Sequence, residues 1–148
     1  MTIPRAPLLL GLAGLLPFLW GVATMLLPDL GTWAARAIGP RFVGPYVQLA
    51  YGTVILSFMS GVLWGFATRA TGAIAASGYA LSTVPALWAF FLVGGGPVSA
   101  AIYLALGFAG ILALDLLFWR QDLAPPWWMQ LRLLLTAIVV LSLLPIIL

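Results

Sequence analysis

The chain predicts an all-α fold: a polytopic membrane protein with five transmembrane helices and a short interfacial helix between the first and the second. Three observations carry that prediction. Of the 148 residues, 64% are hydrophobic and 6% charged, with a mean hydropathy of +1.19, whereas about a quarter of the residues in an ordinary soluble domain are charged. The apolar residues gather into five runs, 7–27, 45–68, 71–93, 97–119 and 127–148, each near the roughly 20 residues a helix needs to cross a bilayer core. Turn formers separate the runs: Pro28, Gly39-Pro40, Gly44-Pro45, Gly94-Gly95-Gly96-Pro97 and Pro125-Pro126. Together the runs use most of the chain, which reads as a single transmembrane domain over 1–148.

The first run follows Arg5 and contains the small-x-small triplet Gly21-Val22-Ala23, features shared with signal peptides; we read it as the first span. Residues 29–39 form a separate element. Asp29 suits a helix cap and Gly39-Pro40 suits its end. Leu30, Trp33, Ala34, Ala37 and Ile38 recur at helical spacing, with Thr32 and Arg36 opposite, the pattern of a helix lying in the membrane interface. It reads as a connector at the mouth of the bundle, with a gate or docking element as the alternative. Trp33, Trp119, Trp127 and Trp128 lie near run ends, where indoles favour the headgroup layer.

The net charge of +3 comes from six Arg and three Asp spread along the chain. There is no basic patch, so nucleic acid is not an expected partner; the expected surroundings are a lipid bilayer and other membrane subunits. Arg5, Arg69, Arg120 and Arg132 fall on one side of a five-span arrangement and Arg36 and Arg41 on the other. Positive residues are retained in cytoplasmic loops, so the N-terminus is expected in the cytoplasm and the C-terminus outside. Arg, Ala, Gly and Pro in place of Lys and Asn suit a GC-rich bacterial genome.

In lipid, helices associate through close approach at small residues. The second span carries Thr53, Ser57, Gly61 and Gly65, the third Gly78, Ser82 and Ala86, and the fourth Ala101, Ala105, Ala109 and Ala113. These stripes predict a tight core of spans two, three and four. Pro17 and Pro85 lie near mid-membrane and free the carbonyls of Ala13 and Leu81, and both read as kinks. Trp20, Tyr51, Trp64, Tyr79 and Trp88 within the spans, together with Pro85, are the candidate lining of a site for an apolar ligand.

The chain has no His, Cys, Glu, Lys or Asn, which removes the usual parts of an enzyme. A serine nucleophile lacks a base, an aspartyl dyad lacks its second intramembrane carboxylate, and zinc lacks ligands. Gly94-Gly95-Gly96 has no following Lys to make a phosphate loop. No cofactor and no metal are expected. Asp115 and Arg132 stand out instead. Asp115 lies five residues before Arg120 and Arg132 six after Pro126, so a hairpin brings them to matched depth. An ionisable residue at that depth is a functional candidate by default. The favoured reading is a buried ion pair that staples the last hairpin; a gate or a polar anchor for a ligand headgroup is the alternative.

Tyr51-Gly52-Thr53-Val54-Ile55-Leu56-Ser57-Phe58-Met59-Ser60-Gly61-Val62-Leu63-Trp64-Gly65 resembles a family of unknown function typified by transmembrane protein 69. The likeness extends to Gly11-Leu12-Ala13-Gly14-Leu15-Leu16-Pro17-Phe18, Ser82-Thr83-Val84-Pro85, Asp115 and Leu131-Arg132-Leu133-Leu134-Leu135-Thr136, so it covers nearly the whole chain. The family pattern often has two glycines where Ser60-Gly61 stands and a His where Leu63 stands, and a role for that His has no counterpart here. The resemblance implies an energy-transducing inner membrane, bacterial or mitochondrial, and supplies no reaction. The expected function is therefore a non-catalytic accessory, scaffold or assembly subunit of a larger, bioenergetic membrane complex. The alternative is a carrier or binder of an apolar small molecule such as a quinone, lipid or porphyrin.

Overall fold

The computed structural model describes residues 2–148. All its regular elements are helical: α1 (Arg5–Ala13), α2 (Leu16–Leu26), α3 (Pro28–Ala37), a 3-10 turn (Pro40–Phe42), α4 (Tyr46–Ala67), α5 (Gly72–Leu92), α6 (Pro97–Arg120) and α7 (Trp128–Ile147), with no strand among the described residues. Five stretches are long and apolar enough to cross a membrane: α1 with α2, then α4, α5, α6 and α7. Their ends fall within a residue or two of the apolar runs, because backbone groups in lipid must be satisfied within the helix until the chain reaches water. The protein is thus a polytopic, all-α membrane protein surrounded by lipid.

The first span is broken where Pro17 denies Ala13 a hydrogen bond. Gly14 and Leu15 keep helical backbone angles, but the chain turns there before α2 begins. The connector α3 runs from Pro28 to Ala37 and packs on α2 through Gly31, which lies against the Thr24 carbonyl, and buried Ala34. Asp29 does not cap it. Pro28 takes the first helical position, where a missing N–H loses nothing, and Asp29 falls inside the first turn. Trp33 and Ile38 are exposed, as suits a helix in the interface.

Spans two to four do meet at the centre, but not through the expected stripes. The buried face of α4 is Gln48, Gly52, Leu56, Met59, Ser60, Leu63 and Ala67. Thr53 is half-buried, Ser57, Gly61 and Gly65 are exposed, and nothing among the described residues lies within 4 Å of a side-chain carbon placed on either glycine. On α6, Ala101 is buried and Ala105 half-buried, whereas Ala109 and Ala113 face outward. On α5, Gly78 and Ser82 are buried and Ala86 half-buried. The cause is helical pitch. At 3.6 residues per turn each step of four overshoots by about 40°, so three steps carry a stripe about 120° round the helix. The α4 and α6 stripes take three steps and leave the interior; the α5 stripe takes two.

Large side chains set into glycine notches do the packing instead. Leu104 of α6 lies over Gly52, Leu56 of α4 and Trp88 of α5 lie over Gly107, and Ala67 and Phe118 lie over Gly78. Phe18, Leu56, Leu63, Leu104, Phe108, Phe118 and Leu143 fill the centre. Pro85 is buried inside a continuous α5. There the Ala86 N–H donates to Ser60 Oγ across the helix pair at 2.8 Å.

Candidate functional site

The last hairpin is built to bring one carboxylate under one guanidinium. Helix α6 ends in a left-handed residue, Asp122 (φ 57°). Leu123 N–H returns to the Phe118 carbonyl and Asp122 N–H to that of Trp119, both at 3.1 Å, the paired bonds of a Schellman stop. The buried Leu123 lies one residue beyond the left-handed Asp122, and Trp119 Nε1 donates to the Pro126 carbonyl at 3.2 Å. This closure sets the register of α7 against α6.

Asp115 is fully buried and Arg132 is 4% exposed. Arg132 Nε donates to Asp115 Oδ2 at 2.6 Å, and Trp128 Nε1 donates to Oδ1 at 2.9 Å. Both donors sit on one face of α7, one turn apart, so each carboxylate oxygen has a partner. The guanidinium is engaged through Nε alone. Arg132 Nη2 is buried without a hydrogen-bond partner among the described residues, and so is Thr136 Oγ1 one turn further along. The guanidinium carbon also lies 6.0 Å from the centre of the Trp128 ring.

Trp128, Arg132 and Thr136, but not Asp115, line a cavity of about 570 Å³, a size typical of small-molecule sites. It lies between α1, α4 and α7, and Phe18 and Phe108 contribute to its inner wall. The break at Gly14-Leu15 lies in its wall. Helix α1 has no buried residue and packs on α7 through Gly11, beside Leu131 and Leu135, leaving Tyr51, Ile55, Met59, Val62 and Phe66 of α4 uncovered on the cavity side. Leu10 and Phe58 line it while 74% and 65% exposed. Phe58 is mid-span and Leu10 lies within the first span, so the opening faces the acyl chains.

Of the six aromatic and proline positions expected to line a ligand site, only Tyr51 does so, in edge contact with Phe18 at 5.4 Å. The others are held elsewhere. Trp20 Nε1 donates to the Phe42 carbonyl at 2.7 Å, and Trp88 Nε1 to that of Tyr103 at 2.7 Å. Trp64 and Tyr79 lie ring against ring at 4.7 Å on the outside of the α4–α5 pair, and Pro85 is packed within α5. Indoles in spans have one donor each, and a nearby carbonyl takes it before a ligand can.

Sequence reasoning missed Thr136, Trp128 and Gln48. The first two were within reach, since they flank Arg132 at one turn on either side and so share its face. Gln48 is fully buried at the other end of the bundle; its Nε2 donates to the Ser142 carbonyl at 2.8 Å, and its amide lies against Gly21, where any side chain would overlap it. Next to it Thr24 Oγ1 accepts from the Gly44 N–H at 2.8 Å and donates to the Gly21 carbonyl at 3.0 Å. This second polar knot ties the first, second and fifth spans, and its signal was one amide inside an apolar run.

A family model described as a protein of unknown function, DUF3429, matches residues 3–148. Transmembrane protein 69 of the frog Xenopus tropicalis is 35% identical over 144 residues, covering 95% of this chain and 53% of the relative. The chain thus spans about half the length of the curated relative it matches. No solved structure matches it. With a family model covering nearly every residue, and a relative whose likeness runs across all five spans, the chain belongs to the DUF3429 family of unknown function, typified by transmembrane protein 69.

Proposed function

We propose that this protein is a non-catalytic membrane protein that holds a membrane-dissolved small molecule of the quinone, lipid or porphyrin kind in the lateral cavity. The observation that carries this reading is a cavity of about 570 Å³, apolar along its length and open at mid-span, with buried unpartnered polar atoms on two of its lining residues. A void that size in a close-packed bundle forfeits many van der Waals contacts, and an occupant restores them. The absence of His, Cys, Glu and Lys supports a binding role over a catalytic one. Gentle purification followed by mass spectrometry of the retained small molecules tests it. A stoichiometric lipid or quinone is expected; a chain that emerges empty from every mild detergent overturns the reading.

The outward face of α4 favours a second role beside the first, as an accessory or assembly subunit of a larger membrane complex. Ser57, Gly61 and Gly65 form an exposed small-residue strip, the surface on which a helix of another subunit packs closely. The same purification reads this out as a stoichiometric protein complex. The Arg distribution supports a cytoplasmic N-terminus and an external C-terminus; the membrane we propose is a bacterial inner membrane or, in a eukaryote, the mitochondrial inner membrane. A reporter fused after Leu148 is expected on the external side, and a cytoplasmic signal overturns the orientation.

A further inference from the structure

The polar end of the cavity is unfinished in a way that specifies its occupant. Arg132 Nη2 and Thr136 Oγ1 are both buried and unpartnered, and both residues line the cavity. They stand four apart on α7, so they share a face. A threonine in a helix readily returns its hydroxyl to the carbonyl one turn back, as Thr53 does to Leu49 at 2.7 Å. Thr136 does not. Two buried groups able to donate, on residues one turn apart on the same face of α7 and both unused, are costly to leave that way, and an acceptor oxygen from an occupant offers them a partner.

Charge decides which acceptor. Arg132 is already matched by Asp115 at 2.6 Å, so the pair is neutral as a unit, and Arg132 is the one charged side chain lining the cavity among the described residues. An anionic headgroup brings a net negative charge into an apolar wall, with the desolvation penalty that implies. A neutral carbonyl oxygen takes both hydrogen bonds and brings none. Trp127 and Trp128 flank this end with flat apolar faces, while Leu10, Ile55 and Phe58 further along suit an alkyl or isoprenoid chain.

Resting on the reading that the cavity holds a membrane-dissolved molecule, we infer that its ligand is a neutral amphiphile whose carbonyl oxygen sits between Arg132 Nη2 and Thr136 Oγ1 and whose apolar tail leaves between α1 and α4. Two membrane sources carry that chemistry, an isoprenoid quinone and a glycerolipid ester.

The test is native mass spectrometry of the full-length protein titrated separately with decylubiquinone, dioleoylglycerol, dioleoyl phosphatidic acid and squalene, an isoprenoid without a carbonyl. At least one neutral carbonyl probe is expected to bind about tenfold more tightly than squalene, as two hydrogen bonds allow. A preference for decylubiquinone identifies a quinone source, and one for dioleoylglycerol a lipid source. Thr136→Val, which keeps the volume and removes the hydroxyl, is expected to weaken the carbonyl probe about fivefold and leave squalene unchanged. The wild-type comparison stands by itself if that variant folds poorly. Equal binding of squalene and the carbonyl probes overturns the anchor while leaving the cavity as a binding site. Tightest binding of phosphatidic acid overturns the neutral headgroup. If none of the four binds, the cavity reading falls and the anchor with it.

Discussion

Pro17 and Pro85 are the same residue in comparable places, near the middle of a membrane-spanning segment, and the structure treats them oppositely. At Pro85 the helix continues, the ring is buried, and the Ala86 N–H beside it is taken by Ser60 Oγ of α4 at 2.8 Å. Ser82 and Thr83 return their hydroxyls to the carbonyls of Tyr79 and Ala80 in the turn before. At Pro17 the span splits into α1 and α2, and a cavity lies beside the break. A proline removes one hydrogen bond wherever it stands in a helix interior. Whether a gap follows depends on the neighbour. α5 has α4 along its length, whereas α1 has mainly the cavity-facing end of α7.

The sharpest way to break this contrast is to remove the wall against which the open side stands. If the cavity persists because the α6–α7 hairpin is rigid, Asp115→Asn and Arg132→Gln each leave a buried polar group uncompensated and should cost about 3–5 kcal/mol, the double variant costing less than either. Thermal unfolding of the three variants in detergent measures it. Single variants as stable as wild type would mean that the cavity wall does not depend on the pair.

The next largest effect separates a filled notch from an open face on one helix. Gly52→Leu must displace Leu104 and the Phe18 ring and should destabilise by about 1–3 kcal/mol. Gly61→Leu points into open space, with nothing among the described residues within 4 Å of its Cβ, and should change the stability of the isolated chain by no more than about 0.5 kcal/mol. If Gly61→Leu also prevents recovery of a larger complex, the outer face of α4 is an interface; if both variants are equally damaging, the assigned buried face is wrong. Smaller again is Ser60→Ala, which deprives the Ala86 N–H of its acceptor beside Pro85 and should cost about 1 kcal/mol. An unchanged midpoint there would remove Ser60 from the explanation of why that proline stays sealed.

These positions also mark how far the sequence is legible. The spans and their turns follow from hydropathy and breakers alone, since lipid leaves the backbone little choice. The approach of Asp115 and Arg132 follows from counting residues on either side of one turn. The core face of α4 does not. The visible stripe of small residues rotates off the axis that matters, and Leu56 and Leu63, unremarkable in an apolar run, lie inside. The cavity is less legible still. It is a property of the space between α1, α4 and α7, and the polar atoms that mark it are defined by bonds they do not make. Spacing puts Thr136 on the face of Arg132, but that its hydroxyl is unused is visible in the structure alone.

A small change in stability is also expected where the comparison began, and it is the most informative. Pro17 lies in the first turn of α2, where its missing N–H is one of the groups a helix start leaves unpaired in any case. Pro17→Ala should therefore shift stability by less than about 1 kcal/mol. It does restore an N–H able to reach the Ala13 carbonyl, so α1 and α2 can join through Gly14-Leu15 and the arm can close on α4. Binding of the carbonyl probe should then fall severalfold while the thermal midpoint hardly moves, and amide exchange near Leu15 should slow as the helix becomes continuous. The matching Pro85→Ala change should leave binding unaltered, because α4 already holds that helix shut. If Pro17→Ala keeps full binding and fast exchange, the break belongs to Gly14 and to the shape of the α7 surface, and the two prolines differ in nothing but their neighbours.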